Sequence, residues 1–221
     1  LKLVKLDEPF KNLLTQGMVL NEIFFRKPDT GRITYYNPAD VDVAVDAQGN
    51  RSGAVLRADG QPVEAGGIGT MSKSKNNGVD PQALIEDYGA DIARFYMMFT
   101  APPEQTLEWS DASVEGASRF LRRVWTFAVD HENEIKIGKG QMASLVKLDW
   151  SKVPAGHKTW RKEIHAVLKQ ANYDLGRHQF NTVASACMKL LNLLEKAPDS
   201  IKAGEGNDVL ESTNAMTGTM A

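Results

Sequence analysis

The sequence predicts an α+β protein. Short β-prone runs lie between Arg32 and Arg57, amphipathic helical periods run from Pro81 to Leu194, and a Gly-, Ser- and Lys-rich stretch divides the two. At 221 residues, 42% of them apolar, the chain is long enough for one or two domains with a buried core. It contains no apolar run of about eighteen residues, and its start, Leu1 to Glu8, lacks the layout of a signal peptide, so a soluble cytoplasmic protein is expected. The missing initiating Met is expected of a piece cut from a longer chain. A single cysteine, Cys187, excludes an internal disulfide framework and a Cys-rich zinc site, and the four histidines have no ligand-like spacing; no structural metal is expected.

Taken in order, residues 9 to 25 hold two apolar runs around Gly17, which predicts a short helix followed by a buried strand. From Arg26 to Gly67 the texture is that of a small β-rich region, with runs at Arg32–Tyr36, Val41–Val45 and Ala54–Arg57. Val41, Val43 and Val45 alternate with polar or small residues, giving one apolar face at period two. Asp46–Asn50 and Ala58–Gln61 carry the Gly, Asp and Asn that hairpin turns use.

Asp80-Pro81 predicts a helix start, with Asp as the cap and Pro in the first position, and Gly89 ends that helix. A second helix from Ala90 sets Ile92, Phe95, Tyr96 and Phe99 on one face and stops at Pro102-Pro103. Ser110 or Asp111 caps a third, whose buried stripe is Val114, Ala117, Leu121, Val124 and Ala128, with Arg119, Arg122 and Arg123 clustered beside it. After a connection from Lys136 to Gly156, Ile164, Val167, Leu168 and Ala171 mark a fourth helix that Gly176 breaks. A fifth follows through Phe180, Val183, Ala184, Cys187, Leu190, Leu191 and Leu194; the last two read as an antiparallel pair. From Pro198 onward the polar, Gly-rich tail is expected to be mobile.

The net charge of −2 is unevenly spread. Residues 1–109 hold 11 Lys/Arg against 15 Asp/Glu, residues 110–180 hold 12 against 8, and residues 181–221 hold 3 against 5. The middle helical segment is therefore where a polyanion could dock, although a solvated surface accounts for the excess equally well.

The densest chemical signal is Gly69-Thr70-Met71-Ser72-Lys73-Ser74-Lys75-Asn76-Asn77-Gly78-Val79-Asp80-Pro81. Small polar residues surround two lysines just ahead of a helix start, the make-up of a mobile phosphate-handling loop. A P-loop is rejected, because Ser72 stands where that motif needs Gly and Gln61–Ala65 makes a poor buried strand. Met71-Ser72-Lys73-Ser74 resembles the KMSKS signature of class I aminoacyl-tRNA synthetases. With Lys75 to Gln82 and the run Tyr88-Gly89-Ala90-Asp91 through Arg94 to Phe99, it resembles the leucyl-tRNA synthetases in particular.

That resemblance covers roughly residues 9–197. It implies the end of a nucleotide-binding catalytic domain at 1–25 and a leucine-specific insert at 26–67, which in such enzymes aids tRNA engagement. It further implies the signature loop and the start of the stem-contact helices at 68–109, and part of an anticodon-binding helical bundle at 110–197, ahead of the mobile tail at 198–221. It also implies ATP (with Mg2+), leucine and tRNA(Leu) as partners of the parent enzyme. The HIGH-type histidine signature and the editing domain are not in this stretch, so the chain by itself is expected to be inactive.

In that chemistry the amino-acid carboxylate attacks the α-phosphorus and pyrophosphate leaves. A cation that meets the growing negative charge lowers the barrier. Lys73 is the candidate catalytic cation, and Thr70, Met71, Ser72, Lys73 and Ser74 are the candidate ATP-binding set. Ser72 and Ser74 would donate hydroxyl hydrogen bonds, Lys75 would serve as an auxiliary charge, and Gly66, Gly67, Gly69 and Gly78 would let the loop swing closed. The first lysine of the signature is Thr70 here, which puts triphosphate affinity in question more than the assignment.

Arg119, Arg122 and Arg123 are candidate tRNA-phosphate contacts by the same resemblance, weighed against a solvated helix face. His131, His157, His165 and His178 read as surface or interhelical residues, Cys187 as a small core residue, and Trp109, Trp125, Trp150 and Trp160 as packing anchors. Two alternatives remain: a fragment of an isoleucyl- or valyl-tRNA synthetase, and a stand-alone RNA-binding or interaction module with a degenerate signature loop. The insert placed before the loop argues against the first.

Overall fold

The computed structural model describes residues 10–48, 51–133, 135–136, 151 and 153–197. They form two compact units: Leu1–Ala93 with Thr100–Asp111, and Arg94–Phe99 with Ala112–Ala221.

The first unit is organised around β1 (Val19–Arg26). β2 (Thr34–Tyr36) and β5 (Glu64–Thr70) pair with it antiparallel, and the two-residue β6 (Leu107–Glu108) pairs with it parallel. β3 (Val41–Val45) and β4 (Arg51–Leu56) form a separate hairpin in the register Val43 to Ala54. The Asp46 carboxylate accepts from the Gln48 amide in the turn between them, as the Asp, Gly and Asn of that segment predict. Phe24 is buried against Val41, Leu56 and Val63, with Tyr36, Val43 and Ala54 packed around them. The alternation of Val41, Val43 and Val45 is a gradient rather than one buried face: Val41 is buried, whereas Val45, at the far end of the strand, is 64% exposed.

Arg26 closes this unit at the end of β1. Its guanidinium donates to both Asp59 oxygens at 2.6 and 2.9 Å and to the Gln61 and Pro62 carbonyls, and it lies 5.0 Å from the centre of the Tyr36 ring. The bidentate geometry matches the planar fork of Arg to a carboxylate. The Asp59 carboxyl is held at about 2, first by the Arg26 hydrogen bond and then by the Gln61 amide.

One expectation is corrected here. The short helix ahead of β1 does not form: residues 10–18 are without helix, because their backbone groups turn to a distant segment instead. The Gly17 amide donates to the Pro103 carbonyl at 2.7 Å, and the Met18 carbonyl accepts from Leu107. A Cβ on Gly17 would stand 2.0 Å from the Gln105 oxygen, so the chains can approach only at glycine. The stretch after Gln61, read as a poor buried strand, leads into β5, an almost wholly exposed strand with three glycines, held by its ladder to β1 rather than by burial. The ladder is irregular opposite Ile23, where Gly67 takes φ +77°, a bulge conformation that suits glycine.

The helices start and stop as the sequence predicts. Asp80 caps α1 (Pro81–Tyr88) by accepting from the Gln82 amide at 3.0 Å, and Gly89 closes it on the Ile85 carbonyl. α2 (Ala90–Thr100) ends before Pro102, with Tyr96 fully buried. Within the second unit, Phe95 of α2 stacks on Phe99 and on Phe120 of α3 (Asp111–Asp130). Val114, Ala117, Ser118 and Phe120 are buried, so the first half of the α3 stripe is a core face. Val124 and Ala128, expected to continue it, are exposed; the buried part ends near Leu121.

α4 (Ala155–Gly176) and α5 (Phe180–Glu195) pack together through Trp160, Ile164 and Leu190. The Trp160 indole donates to the Leu193 carbonyl at 2.8 Å, joining the start of one helix to the end of the other, as in an antiparallel pair. Cys187 is exposed and not a core residue, since the packing centres on Trp160, Ile164 and Leu190. Trp160 is a packing anchor, whereas Trp125 is 74% exposed, beyond the buried half of α3. Trp150, the tail from Pro198 and most of the connection between Lys136 and Gly156 lie outside the described residues. No described helix is long and apolar enough to cross a membrane.

Candidate functional site

The loop after β5 is built from the backbone outward. Thr70 is the last residue of that strand, and the Met71 amide donates to the Val19 carbonyl of β1 at 3.0 Å. Ser72 then caps a tight turn, Lys73–Lys75, by accepting the Lys75 amide on its hydroxyl, which also lies 3.3 Å from the Ser74 hydroxyl. Asn76 closes the turn at φ 48°, a left-handed conformation that Asn tolerates better than most residues. Lys73 and Ser74 are exposed on this turn, while Ser72 and Lys75 are half-buried. Lys75 Nζ folds back to 3.7 Å from where a Cβ on Gly69 would stand.

Gly66, Gly67 and Gly69, expected as hinges, all lie within β5, where the first and third face the Ile23 side chain. At Gly66 and Gly69 the small size serves close approach to β1, whereas Gly67 has open space at its Cβ position. Gly78, after the turn, has open space at its Cβ position.

Residue-type reasoning missed the asparagines. Asn77 is fully buried, and its amide nitrogen donates to the carbonyls of Gly69, Thr70 and Asn21 at 3.3 to 3.4 Å. Its side-chain oxygen accepts the Ser72 amide at 2.8 Å, and its main-chain carbonyl accepts from the buried Asn21 side chain at 3.2 Å. From β2 and just beyond, Asn37 donates to the Gly78 carbonyl at 2.9 Å, and the Tyr35 carbonyl accepts from Asn76 at 3.5 Å. The available signal was the Asn76-Asn77-Gly78 run directly after the lysines, which combines left-handed tolerance with amide groups that can bridge backbone.

A groove of about 870 Å3 lies elsewhere in the same unit, between the β3 side and α1. Glu22, Asp42, Asp80, Asp87 and Glu108 line it, and its Arg57 is paired with Asp42 at 2.7 Å. Carboxylates in that number repel a polyphosphate. Among the described residues no group of three His, Cys, Asp or Glu could hold a metal ion.

The candidate RNA contacts diverge in the second unit. Arg119 faces Glu115 one turn back at 3.6 Å, and Arg123 reaches Glu195 and Asn192 of α5. Arg122 is exposed and makes no ion pair or hydrogen bond among the described residues. Of the histidines, His131 donates from Nδ1 to the Phe127 carbonyl at 3.0 Å and stacks on the Phe127 ring, and His157 is buried. Burial lowers the pKa of His165, helped by nearby Arg161.

A family model described as tRNA synthetases class I (I, L, M and V) matches residues 58–110, which contain the whole turn. The leucine–tRNA ligase of Cupriavidus metallidurans is 58% identical over 210 residues, 94% of this chain and 23% of that protein. That of Nitrosospira multiformis is 57% identical over 93% of this chain, again 23% of its own length. A solved ternary complex of an Agrobacterium radiobacter LeuRS with tRNA and LeuAMS aligns with 67% of this chain and 18% of that one, at 21% identity and a TM-score of 0.46. The chain is thus similar over nearly all of its own length to leucine–tRNA ligases, and it spans about 23% of theirs.

Proposed function

We propose that this chain is part of an enzyme that activates leucine with ATP and transfers it to tRNA(Leu), and that Thr70–Ser74 attends the ATP phosphates. The observation that carries the reading is the exposed Lys73 on a turn whose backbone is anchored to β1. The cation faces solvent while the peptide beneath it is fixed, so its charge can meet a phosphate without the loop having to find its shape. In adenylate formation the leucine carboxylate attacks the α-phosphorus and the bond to pyrophosphate breaks. Charge then grows on the leaving oxygens, where an ammonium group contributes more than it does to the resting triphosphate. Ser74, also exposed, is the hydroxyl best placed to donate; the Ser72 hydroxyl already accepts within the turn. Mg2+ arrives with ATP as part of the substrate.

On this reading residues 26–67 are the insert ahead of the loop, and the helices from Asp111 onward belong to the tRNA-contacting part, with Arg122 the arginine most available for a phosphate. Cytoplasmic location follows from that role.

The test is Lys73→Ala in a full-length leucine–tRNA ligase carrying these residues. Leucyl-adenylate formation, followed in the pre-steady state, is expected to slow roughly 10²-fold or more, with leucine binding unchanged. Adenylate formed at the unmodified rate would overturn the assignment. Leucine-dependent ATP–pyrophosphate exchange by residues 1–221 alone would contradict the view that the other half of the ATP site lies elsewhere.

A further inference from the structure

We infer that Asn77 is the positioning residue of the phosphate loop, a buried amide that sets the shape of Ser72–Asn77 and ties it to β1. The inference rests on the function proposed for that loop. A polar side chain this deeply buried persists only where its hydrogen-bonding groups are met, and those of Asn77 are met entirely by backbone. Its oxygen reaches back in the loop to the Ser72 amide, so one side chain closes a ring over Ser72 to Asn77. Its nitrogen reaches Gly69 and Thr70 at the end of β5 and Asn21 in the middle of β1. The Asn21 side chain answers by donating to the Asn77 carbonyl, making the link between the two residues reciprocal.

The two residues that flank Asn77 are held from another direction. Asn76 and Gly78, on either side of Asn77, are bonded to Tyr35 and Asn37. Both partners lie in or beside β2, which itself pairs with β1. Asn77 is thus the point where three strands fix one turn, and Lys73, four residues earlier in the same ring, inherits that placement. The residue touches no substrate on this account; it acts through where it leaves the lysine.

The role needs a side chain that both accepts and donates. Asp at this position would keep an acceptor for Ser72 but lose both donors and set a negative charge against three carbonyl oxygens. Ala would leave the Ser72 amide and the ring unclosed.

The experiment uses the full-length ligase with Asn77→Ala and Asn77→Asp. It reads two things: leucine-dependent ATP–pyrophosphate exchange, and trypsin cleavage after Lys73 and Lys75 in the absence of substrates. For Asn77→Ala, kcat per folded enzyme is expected to fall about ten- to a hundredfold with the KM for leucine unchanged, the scale of a small misplacement of a reacting group. Cleavage at the two lysines should accelerate several-fold, with the rest of the digestion pattern unaltered. Asn77→Asp should move both readouts in the same direction. Should Asn77→Ala fail to fold, Asn21→Ala, which removes the reciprocal bond from the other side, is expected to loosen the loop in the same assay.

Cleavage at the native rate, or an unchanged kcat per folded molecule where Lys73→Ala collapses exchange, would overturn the inference. Lys73→Ala keeps the two readings apart. If that variant exchanges normally while Asn77→Ala still loosens the loop, the anchor stands and the phosphate role fails; if Lys73→Ala collapses exchange and Asn77→Ala changes nothing, the reverse holds.

Discussion

Arg123 donates from Nε and Nη2 to the two carboxylate oxygens of Glu195, at 3.3 and 2.5 Å, fastening α3 to the end of α5. The same Nη2 also reaches the Asn192 side chain at 2.8 Å. One of the three arginines beside the α3 stripe therefore has a structural occupation, and the three should not behave alike.

Arg123→Gln should lower stability by about 0.5 kcal/mol, in the range measured for exposed pairs, seen as a shift of the urea midpoint. Arg122→Gln should leave that midpoint in place. In the full-length ligase, Arg122→Gln should instead weaken tRNA binding and reduce the slope of log affinity against log salt by about one. An unaltered slope would make the Arg122 side a solvated face.

The two other positions of the loop should rank below Lys73. Lys75 folds back toward Gly69, so Lys75→Ala should slow adenylate formation much less than Lys73→Ala does. Thr70 is exposed at the end of β5, with space for a longer side chain, and Thr70→Lys should be tolerated or mildly improve the KM for ATP. Rates of adenylate formation for both variants check the order. A larger loss from Lys75→Ala would transfer the role of cation to that residue.

Trp160 both fills the core between α4 and α5 and caps a carbonyl in the last turn of α5, where intrahelical donors run out. Trp160→Ala should cost about 3–5 kcal/mol. Trp160→Phe, which keeps most of the volume and loses the indole donor, should cost about 1 kcal/mol. Equal losses in chemical denaturation would mean that the hydrogen bond, not the volume, holds the pair.

The Asp59 carboxyl titrates at about 2 in the fold against an ordinary value of 3.8. A depressed carboxyl stabilises the folded state at pH values above its unfolded value, and the contribution is lost as pH falls from there through the folded value. The difference in thermal midpoint between the parent and Asp59→Asn should therefore be constant from neutral pH down to about 5 and shrink between about 4 and 2. A difference that persisted unchanged at the acid end would mean that the Arg26 clasp is not its source.

Local patterns were enough for the β3–β4 hairpin and for α1, where Asp46 and Asp80 take the turn and cap roles that their side chains favour. The turn at Lys73–Lys75 falls in the stretch whose small polar residues suggested a loop. The helix expected before β1 failed because periodicity cannot see that Gly17 and Met18 bond to residues near Pro103. β5 was hidden for the opposite reason: an exposed glycine-rich strand has no apolar rhythm, and its partner strand supplies its order. Asn77 was quoted in the motif, yet nothing local separates a buried amide from the exposed one at Asn76.

β6 joins β1 through the pairs Val19 with Leu107 and Leu20 with Glu108, although the residues are far apart in the chain. Such a pairing closes a long loop, and its entropy must be met before the contact repays it, which makes it a late event in folding. On a ribosome, β1, β2, β5 and the lysine turn all emerge while this stretch of β1 still lacks its parallel neighbour. For that interval an unpaired backbone edge is open to a second nascent chain. Substitutions around Leu107 should consequently reduce the yield of correctly folded protein during synthesis by more than their effect on the finished molecule would indicate.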